Sequence, residues 1–128
     1  MNAAVTEGIR ISVETIYRPD YSSFNEGLFL FSYHITIENN STRSVQLLER
    51  HWNIFDIHLK LRTIEGSGVV GQQPILLPSE QYSYSSACDF KSGIGWMKGF
   101  FTMKDIDDEN IFKVTIPKFE LYATHILN

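Results

Sequence analysis

Cysteine and histidine are scarce in this sequence, and their scarcity limits the chemistry that it can carry. Cys88 is the only cysteine in 128 residues, which excludes an internal disulfide and leaves a cysteine-based zinc site without its ligands. The four histidines form no H-x-H or H-x-x-x-H pair, so the spacing of a histidine metal site is absent. We therefore predict no metal site and a reducing, cytoplasmic location.

Long apolar runs and an excess of positive charge are also missing. No apolar run approaches the roughly 20 residues that cross a bilayer, and the first residues lack the basic and apolar parts of a secretory signal. Lysine and arginine number 11 against 15 aspartate and glutamate residues, a formal charge of −4, and this balance repels phosphate backbones. We expect neither a membrane nor a nucleic acid as partner.

The sequence does contain several short segments in which apolar and polar residues alternate with the period of two that is typical of strands. Residues 28–38 show this pattern most clearly, with Phe29, Phe31 and Tyr33 on one side of the segment. The aromatic content of 13% also favours β-structure. Further strands are predicted at residues 8–17, 81–89, 94–104 and 111–116, the last of them interrupted by Pro117.

Residues 45–64 fit two interpretations. Several apolar residues, among them Val45 and Trp52, match the three-four spacing of a helix. Residues 57–62 instead alternate apolar and polar side chains, and a helix would scatter this set around its circumference. We interpret the segment as two consecutive strands, separated by a break near residues 53–56.

Together these segments predict an all-β fold. Seven to eight short strands with turns at intervals of about ten residues describe a two-sheet β-sandwich, with a small barrel as the alternative. The length fits a single domain over residues 1–128. Residues 1–7 and 123–128 lie outside the strand pattern, and we expect them to be loosely ordered tails.

The segment GSGVVG at residues 66–71 matches the G-x-G-x-x-G pattern of dinucleotide-binding sheets. In those sheets the third glycine opens a helix whose N-terminus holds the pyrophosphate. Here Pro74 follows closely and disfavours α-helical backbone in the residue before it. The pattern therefore does not predict a nucleotide cofactor, and its glycines need another explanation.

Two explanations remain for Gly66, Gly68 and Gly71. Their backbone N–H groups could form a nest around an anion, with Lys60 and Arg62 as nearby cations. Alternatively, the glycines supply the positive φ angles of a tight loop. In that case Val69 and Val70 pack back onto the core. We favour the second explanation.

Four segments resemble the ApaG family in sequence and in order. They are FSYHITIEN at residues 31–39, VQLLERHW at 45–52, GSGVVGQQP at 66–74 and IPKFEL at 116–121. Two shorter stretches, YSS at residues 84–86 and GWMKG at residues 95–99, are also similar to that family. The resemblance covers about residues 8–122. The departures from the family pattern are Ser67 in place of Glu, Ser79 in place of Gly and Trp96 in place of Thr, and the first weakens any metal or proton-transfer role for the glycine loop.

The resemblance implies a fibronectin type III-like, that is immunoglobulin-like, β-sandwich. For function it implies the association of bacterial members with cobalt resistance and magnesium efflux. Related domains in eukaryotic F-box and polymerase-interacting proteins resemble protein-binding modules. No catalytic activity comes with the resemblance.

Other reactive residues have structural explanations. His51 and Trp52 are adjacent on a strand and point in opposite directions, so we expect Trp52 in the core and leave open whether His51 is buried or exposed. Asp105, Asp107 and Glu109 imitate the first ligands of a calcium loop but lack its glycine and its last glutamate, and a solvated hairpin is expected. The segment around Ser85 lacks the G-x-S-x-G elbow of a nucleophile. Cys88 is expected to be an inert core thiol.

The leading functional hypothesis is a non-enzymatic, cytosolic protein-interaction module without a cofactor. Its partner would be another protein, and an exposed edge strand could also pair two copies as a homodimer. The alternative is a small-ligand sensor that binds a phosphate-containing metabolite or its magnesium complex at the same loop, and phosphoanhydride hydrolysis is a distant third. The candidate site residues are Gly66, Gly68, Gly71, Gln72 and Gln73, with Arg50 and Arg62 as outward neighbours.

Overall fold

The computed structural model of the protein describes residues 2–123, and this part of the chain consists almost entirely of β-strands. A single 3-10 turn, Pro19–Tyr21, interrupts the loop after the second strand. No α-helix occurs in the described range. The strands are β1 Asn2–Thr6, β2 Ile9–Tyr17, β3 Phe29–Asn39, β4 Val45–Asp56, β5 Lys60–Ser67, β6 Ile75–Leu76, β7 Gln81–Phe90, β8 Ile94–Asp105 and β9 Ile111–Tyr122.

The strands form two antiparallel sheets that pack face to face, so the predicted sandwich is confirmed and the barrel is excluded. The first sheet has the order β1-β2-β3-β7, and the second has the order β5-β4-β8-β9, with β6 pairing a further part of β4. Alternate residues of each strand point into the core, as the period of two predicts. The largest fully buried side chains are Phe31, Phe90, Phe101, Ile9, Ile11, Ile35, Ile37, Leu47, Ile54, Met97, Met103 and Ile116.

The first strands to differ from the sequence interpretation are β1, β6 and the pair β4 and β5. Residues 2–6 were expected to be a loose tail but form β1, which pairs with β2; residues 124–128 of the other expected tail lie outside the described range. The short β6 was also not predicted, so the described chain has nine strands instead of seven or eight. The break between β4 and β5 lies at residues 57–59, because the Asp56 carboxylate accepts a hydrogen bond from the His58 N–H (2.9 Å) and closes a turn there.

Pro117 was predicted to interrupt the last strand, but it lies inside β9. In the pairing of β8 with β9, Met97 lies opposite Phe119 and Gly99 lies opposite Ile116, so two residues of β9 face one residue of β8. This arrangement is a β-bulge, where a residue without an N–H group is tolerated because the ladder is locally interrupted. The bulge lets the strand continue to Tyr122.

A second bulge, in β4, decides which side chains reach the core. Leu47 pairs with Met103 and Glu49 pairs with Thr102, which leaves Leu48 as the extra residue. A one-residue shift moves every later side chain to the opposite face of a strand. After the bulge, Arg50 and every second residue beyond it therefore point between the sheets.

Candidate functional site

The glycine loop, residues 66–74, begins in the last two residues of the edge strand β5 and contains a tight turn. Val69 and Gln72 exchange two backbone hydrogen bonds of 2.8 and 2.9 Å. The two residues between them, Val70 and Gly71, have φ angles of +42° and +79°, which is the pattern of a type I′ turn. No helix follows Gly71, which confirms that the dinucleotide-binding geometry is absent here.

The three glycines of the motif serve different purposes. A Cβ atom on Gly68 would lie 2.1 Å from the carbonyl oxygen of Gln72, and its φ angle is +59°. A Cβ atom on Gly66 would lie 2.7 Å from the Arg50 guanidinium, whereas a Cβ atom on Gly71 would meet nothing within 4 Å. Close packing against the backbone therefore requires Gly68, Gly66 leaves room for the Arg50 guanidinium, and backbone conformation alone favours Gly71.

The Arg50 side chain binds the backbone of this loop through hydrogen bonds. Its Nη1 donates to the carbonyl oxygens of Ser67 (2.9 Å) and Gly68 (3.0 Å). Because of the bulge in β4, its side chain lies between the sheets, where burial raises the pKa of Tyr33 and Tyr84 and the Arg50 charge acts in the opposite direction. The expectation that Arg50 points outward was wrong, because the bulge reverses the alternation.

Arg62 was also expected to point outward, but its side chain points between the sheets and connects β5 with β7. It lies opposite Ile54 in the β4–β5 pairing, on the inner face of the second sheet. Its Nη2 donates to the carbonyl oxygen of Asp89 (2.6 Å) and to the Cys88 sulfur (3.2 Å) of β7. Both arginines of the candidate site are therefore bound to acceptors within the protein.

The remaining candidate residues, Gln72 and Gln73, are both exposed. The Gln73 side chain donates to the Leu48 carbonyl oxygen (2.9 Å). Val69 is buried as expected, but Val70 is 57% exposed, because the turn carries it away from the core. Lys60 lies at the opposite end of β5 from the loop.

The backbone of the loop is largely used within the protein. The N–H groups of Gly68, Val69 and Gln72 donate to carbonyl oxygens of Leu48, Gln72 and Val69 respectively. The carbonyl oxygens of Ser67 and Gly68 face the Arg50 guanidinium. An anion at this loop would compete with these carbonyl oxygens for the backbone N–H groups and for the Arg50 guanidinium.

Cys88 is buried, and its surroundings disfavour the thiolate. Burial raises the pKa of the Cys88 thiol to about 11, although the neighbouring Arg62 guanidinium acts in the opposite direction. The sulfur also accepts a hydrogen bond from Arg62. The prediction that Cys88 lies in the core is confirmed, and the inertness of its thiol stays a prediction.

We expect Cys88 in the folded protein to react with a thiol-specific chromogenic disulfide at pH 8 at least about 100-fold more slowly than in the denaturant-unfolded chain. The reason is that burial blocks access and suppresses the thiolate, which is the reacting form. The measurement is the rate of thiolate release with and without denaturant. Equal rates in the two states would contradict the burial of this side chain.

Two histidines have partners that their sequence positions did not indicate. His51 is partly buried, stacks on Phe100 at a centroid distance of 4.5 Å, and has its Nδ1 2.8 Å from a Glu65 carboxylate oxygen. His34 has its Nδ1 2.8 Å from the Ser85 hydroxyl on the exposed face of the first sheet. Both contacts join neighbouring strands, so only the strand pairing could have revealed them.

The hairpin between β8 and β9 exposes Asp107 and Glu109 to solvent, as expected, but Asp105 at its start is buried. Its carboxylate accepts hydrogen bonds from the N–H groups of Asp107 (3.0 Å) and Asp108 (3.4 Å) and pairs with Arg43 Nη1 at 3.0 Å. Burial opposes the charged form, but these contacts outweigh it and lower the pKa of Asp105. Among residues 2–123 there is no cluster of three or more His, Cys, Asp or Glu side chains that could hold a metal ion.

The geometry defines a two-sheet β-sandwich with a braced glycine loop that lacks the helix of a dinucleotide site. The ApaG domain profile matches residues 19–105. Protein ApaG of Brucella canis is 41% identical over 121 residues, which cover 94% of this chain and 92% of the relative, and Protein ApaG of Brucella anthropi is 42% identical over the same share of each. The chain therefore belongs to the ApaG family, and these names state no catalytic activity.

Solved structures support the same assignment. The crystal structure of a Bordetella pertussis protein described as ApaA superimposes with a TM-score of 0.84 and 32% identity, covering 94% of each chain. A Bacteroides uniformis β-glucuronidase matches 88% of this chain and 13% of its own with a TM-score of 0.51 and 14% identity, which shows the sandwich fold alone. In the described part of the chain, no helix has the length and apolar character to span a membrane.

Proposed function

We propose that this ApaG-family chain is a cytosolic, non-enzymatic protein-binding module that contacts its partner through the tip of the glycine loop. The tip consists of Val70, Gly71 and Gln72. The single observation that carries the proposal is the state of Val70, an apolar β-branched residue that is 57% exposed at a φ angle of +42°. Positive φ angles are outliers for β-branched residues.

The strained conformation of Val70 lowers the stability of the folded chain. Left-handed backbone costs about 1–2 kcal/mol for a residue with a Cβ atom, and type I′ turns favour Asn, Asp or Gly at this position. Burial does not offset this cost, since most of the side chain is in solvent. Strain at an exposed apolar position supports a role in contact with another molecule.

The rest of the loop holds this tip rigidly. Gly68 packs against Gln72, and Arg50 ties the loop carbonyls to the sheet. A side chain presented on a fixed loop of a rigid scaffold loses little entropy on binding. The exposed apolar residues Ile75 (54%) and Leu77 (52%) follow in the chain and would enlarge the contact surface.

The association with cobalt resistance and magnesium efflux would, in this proposal, operate through the partner. Asp105, one of the residues that imitate a calcium loop in sequence, is paired with Arg43 and accepts hydrogen bonds from backbone N–H groups. A phosphate-binding role of the loop has less support, because Arg50 and Arg62 already bind internal acceptors. A homodimer through the edge strand β5 stays a prediction, which sedimentation velocity can test.

Replacing Val70 with asparagine should separate stability from binding. We expect Val70→Asn to raise the free energy of unfolding by about 1 kcal/mol, because asparagine tolerates positive φ angles. The same change should remove the partner, because it replaces the apolar tip with an amide. The measurements are the denaturant midpoint and affinity capture from a lysate of the source cells, with the captured protein identified, purified and titrated by calorimetry.

Val5→Asn is the matched control. Val5 is 62% exposed on β1, so its replacement removes the same apolar surface far from the loop in sequence and should leave the partner bound. A partner that binds wild type and Val70→Asn with equal affinity would overturn the role of the tip. A lower stability of Val70→Asn would show that the strain argument is wrong.

A further inference from the structure

The outer face of the second sheet carries aromatic rings and lysines that the sequence interpretation did not connect with function. We call this set the lysine face: Trp96, Lys98 and Phe100 of β8, with Lys113 and Lys118 of β9. The strand pairing brings them together, since Phe100 lies opposite Thr115 and Trp96 lies opposite Glu120. The rings are half-buried and the three lysines are exposed.

Trp96 stands between neighbours from the strands on either side. Phe55 of β4 stacks on it at a centroid distance of 5.5 Å and an interplanar angle of 16°. From β9, the Lys118 ammonium lies 4.8 Å from the ring centroid, and the Lys98 ammonium lies at 5.3 Å. Two ammonium groups are thus held over one ring.

Phe100 repeats this arrangement one step along the strand. His51 of β4 stacks on it at 4.5 Å, and the Lys113 ammonium from β9 lies 4.6 Å from the ring centroid. Each ring therefore has a ring on one side and an ammonium from the opposite strand on the other. The ring edges, which carry the positive end of the aromatic quadrupole, remain to face a ligand.

Among residues 2–123, the three lysines have no carboxylate partner. All four ion pairs in the described part of the chain use arginine or histidine. Glu120, the cross-strand neighbour of Trp96, accepts a hydrogen bond from the Tyr122 hydroxyl. In a chain with an excess of acidic residues, this face keeps a group of unpaired positive charges.

A groove of about 380 Å³ lies beside Phe100 on this face. Lys98 and Lys118 line it together with the polar side chains of Asn53 and Thr115, and no acidic residue lines it. The Thr63 hydroxyl donates to Asn53 Oδ1 at 3.2 Å, which leaves the Asn53 amide NH₂ available as a donor. The groove thus combines cationic and neutral hydrogen-bond donors.

We propose that the lysine face binds an acidic segment of a partner protein, with carboxylates paired to Lys98, Lys113 and Lys118. The inference rests on the proposed function as a protein-binding module and assigns it a second surface. Carboxylates match the ammonium groups, the Asn53 amide and the positive ring edges. Binding would also relieve the mutual repulsion of the clustered lysines.

A single-stranded nucleic acid fits the same face less well. Such ligands stack their bases on open aromatic faces. Here Phe55 and His51 cover one face of Trp96 and Phe100, and ammonium groups lie over these rings as well. The occupied ring faces favour a ligand that brings charge without a flat base.

The test uses the full chain and a fluorescently labelled peptide of alternating glutamate and serine, followed by fluorescence anisotropy. We expect the peptide to bind at low ionic strength and to be released as salt screens the charges. The double variant Lys98→Glu, Lys118→Glu should bind at least about tenfold more weakly. Lys91→Glu reverses an exposed lysine outside the face and should bind like the wild type.

Several results would overturn the inference: no binding of the acidic peptide, equal binding by the double variant, or tighter binding of labelled oligothymidine. If the double variant has a lowered thermal midpoint, Lys98→Gln with Lys118→Gln provides the comparison with less repulsion. Val70→Asn should keep full affinity for the peptide. If the wild type does not bind the peptide but binds its partner through the tip, only this inference is rejected. If the wild type binds the peptide but its partner does not depend on the tip, only the role of the tip is rejected.

Discussion

Gly68→Ala should lower the free energy of unfolding by about 3 kcal/mol, whereas Gly71→Ala in the same loop should lower it by about 1 kcal/mol. Both glycines have positive φ angles, +59° and +79°, so both substitutions strain the backbone. Only the Cβ atom at Gly68 would lie 2.1 Å from a backbone oxygen, that of Gln72. The difference between the two variants therefore isolates the cost of close packing.

Denaturant unfolding with matched slopes measures this pair. Each variant is the control for the other, since they share the residue change, the loop and the sign of φ. A similar loss of stability in both would mean that the first part of the loop can move away from Gln72. In that case the loop would not be rigid, and the argument for a fixed tip would fail with it.

Asp56→Ala should lower the free energy of unfolding by about 3 kcal/mol, because it removes one buried acceptor from several donors. The Asp56 carboxylate is fully buried. It accepts hydrogen bonds from the Lys91 N–H (2.6 Å), the Ser92 hydroxyl (2.8 Å) and the His58 N–H (2.9 Å). Alanine would leave these donors without a partner at the end of the sandwich.

The same carboxylate should make stability depend on pH below about 4. Burial by itself would raise the pKa of Asp56, but the hydrogen bonds, led by that from Lys91, outweigh it and lower the pKa. A carboxyl group whose pKa is lower in the folded state stabilises the protein fully above its unfolded pKa. That contribution is lost as the pH falls through the folded pKa.

Unfolding free energies measured from pH 7 down to about pH 2 should therefore fall less steeply for Asp56→Ala than for the wild type. Asp105, whose pKa is also lowered, should keep part of the acid sensitivity in the variant. Asp89→Ala, a change of an exposed aspartate, is the control and should follow the wild-type curve. Parallel acid limbs for Asp56→Ala and the wild type would contradict the lowered pKa.

The strands with a clear period of two could be predicted because each pleated strand buries alternate side chains against one core. Phe29, Phe31 and Tyr33 of β3 are buried on one side of the strand, as the alternation indicated. A Cβ atom at Gly99 would lie 1.9 Å from the His51 carbonyl oxygen, so the backbones of β4 and β8 approach closely there.

The places where the alternation changes could not be predicted in the same way. The bulge at Leu48 turns Arg50 inward, and the bulge opposite Lys98 admits Pro117 into β9. A bulge depends on the register between two strands that are distant in sequence, so a local pattern does not contain it. The outward orientation expected for Arg50 was wrong for this reason.

The sequence by itself determined the all-β class, the strands that bury alternate residues and the absence of a helix after the glycine motif. These properties follow from local rules, namely the period of the side chains and the restrictions imposed by proline and glycine. Only the tertiary structure decided that Arg50 and Arg62 are bound inside, that Val70 stands exposed at a strained tip, and that three lysines gather over Trp96 and Phe100. Each of these depends on which strands become neighbours and in which register, a choice made by the packing of the whole chain.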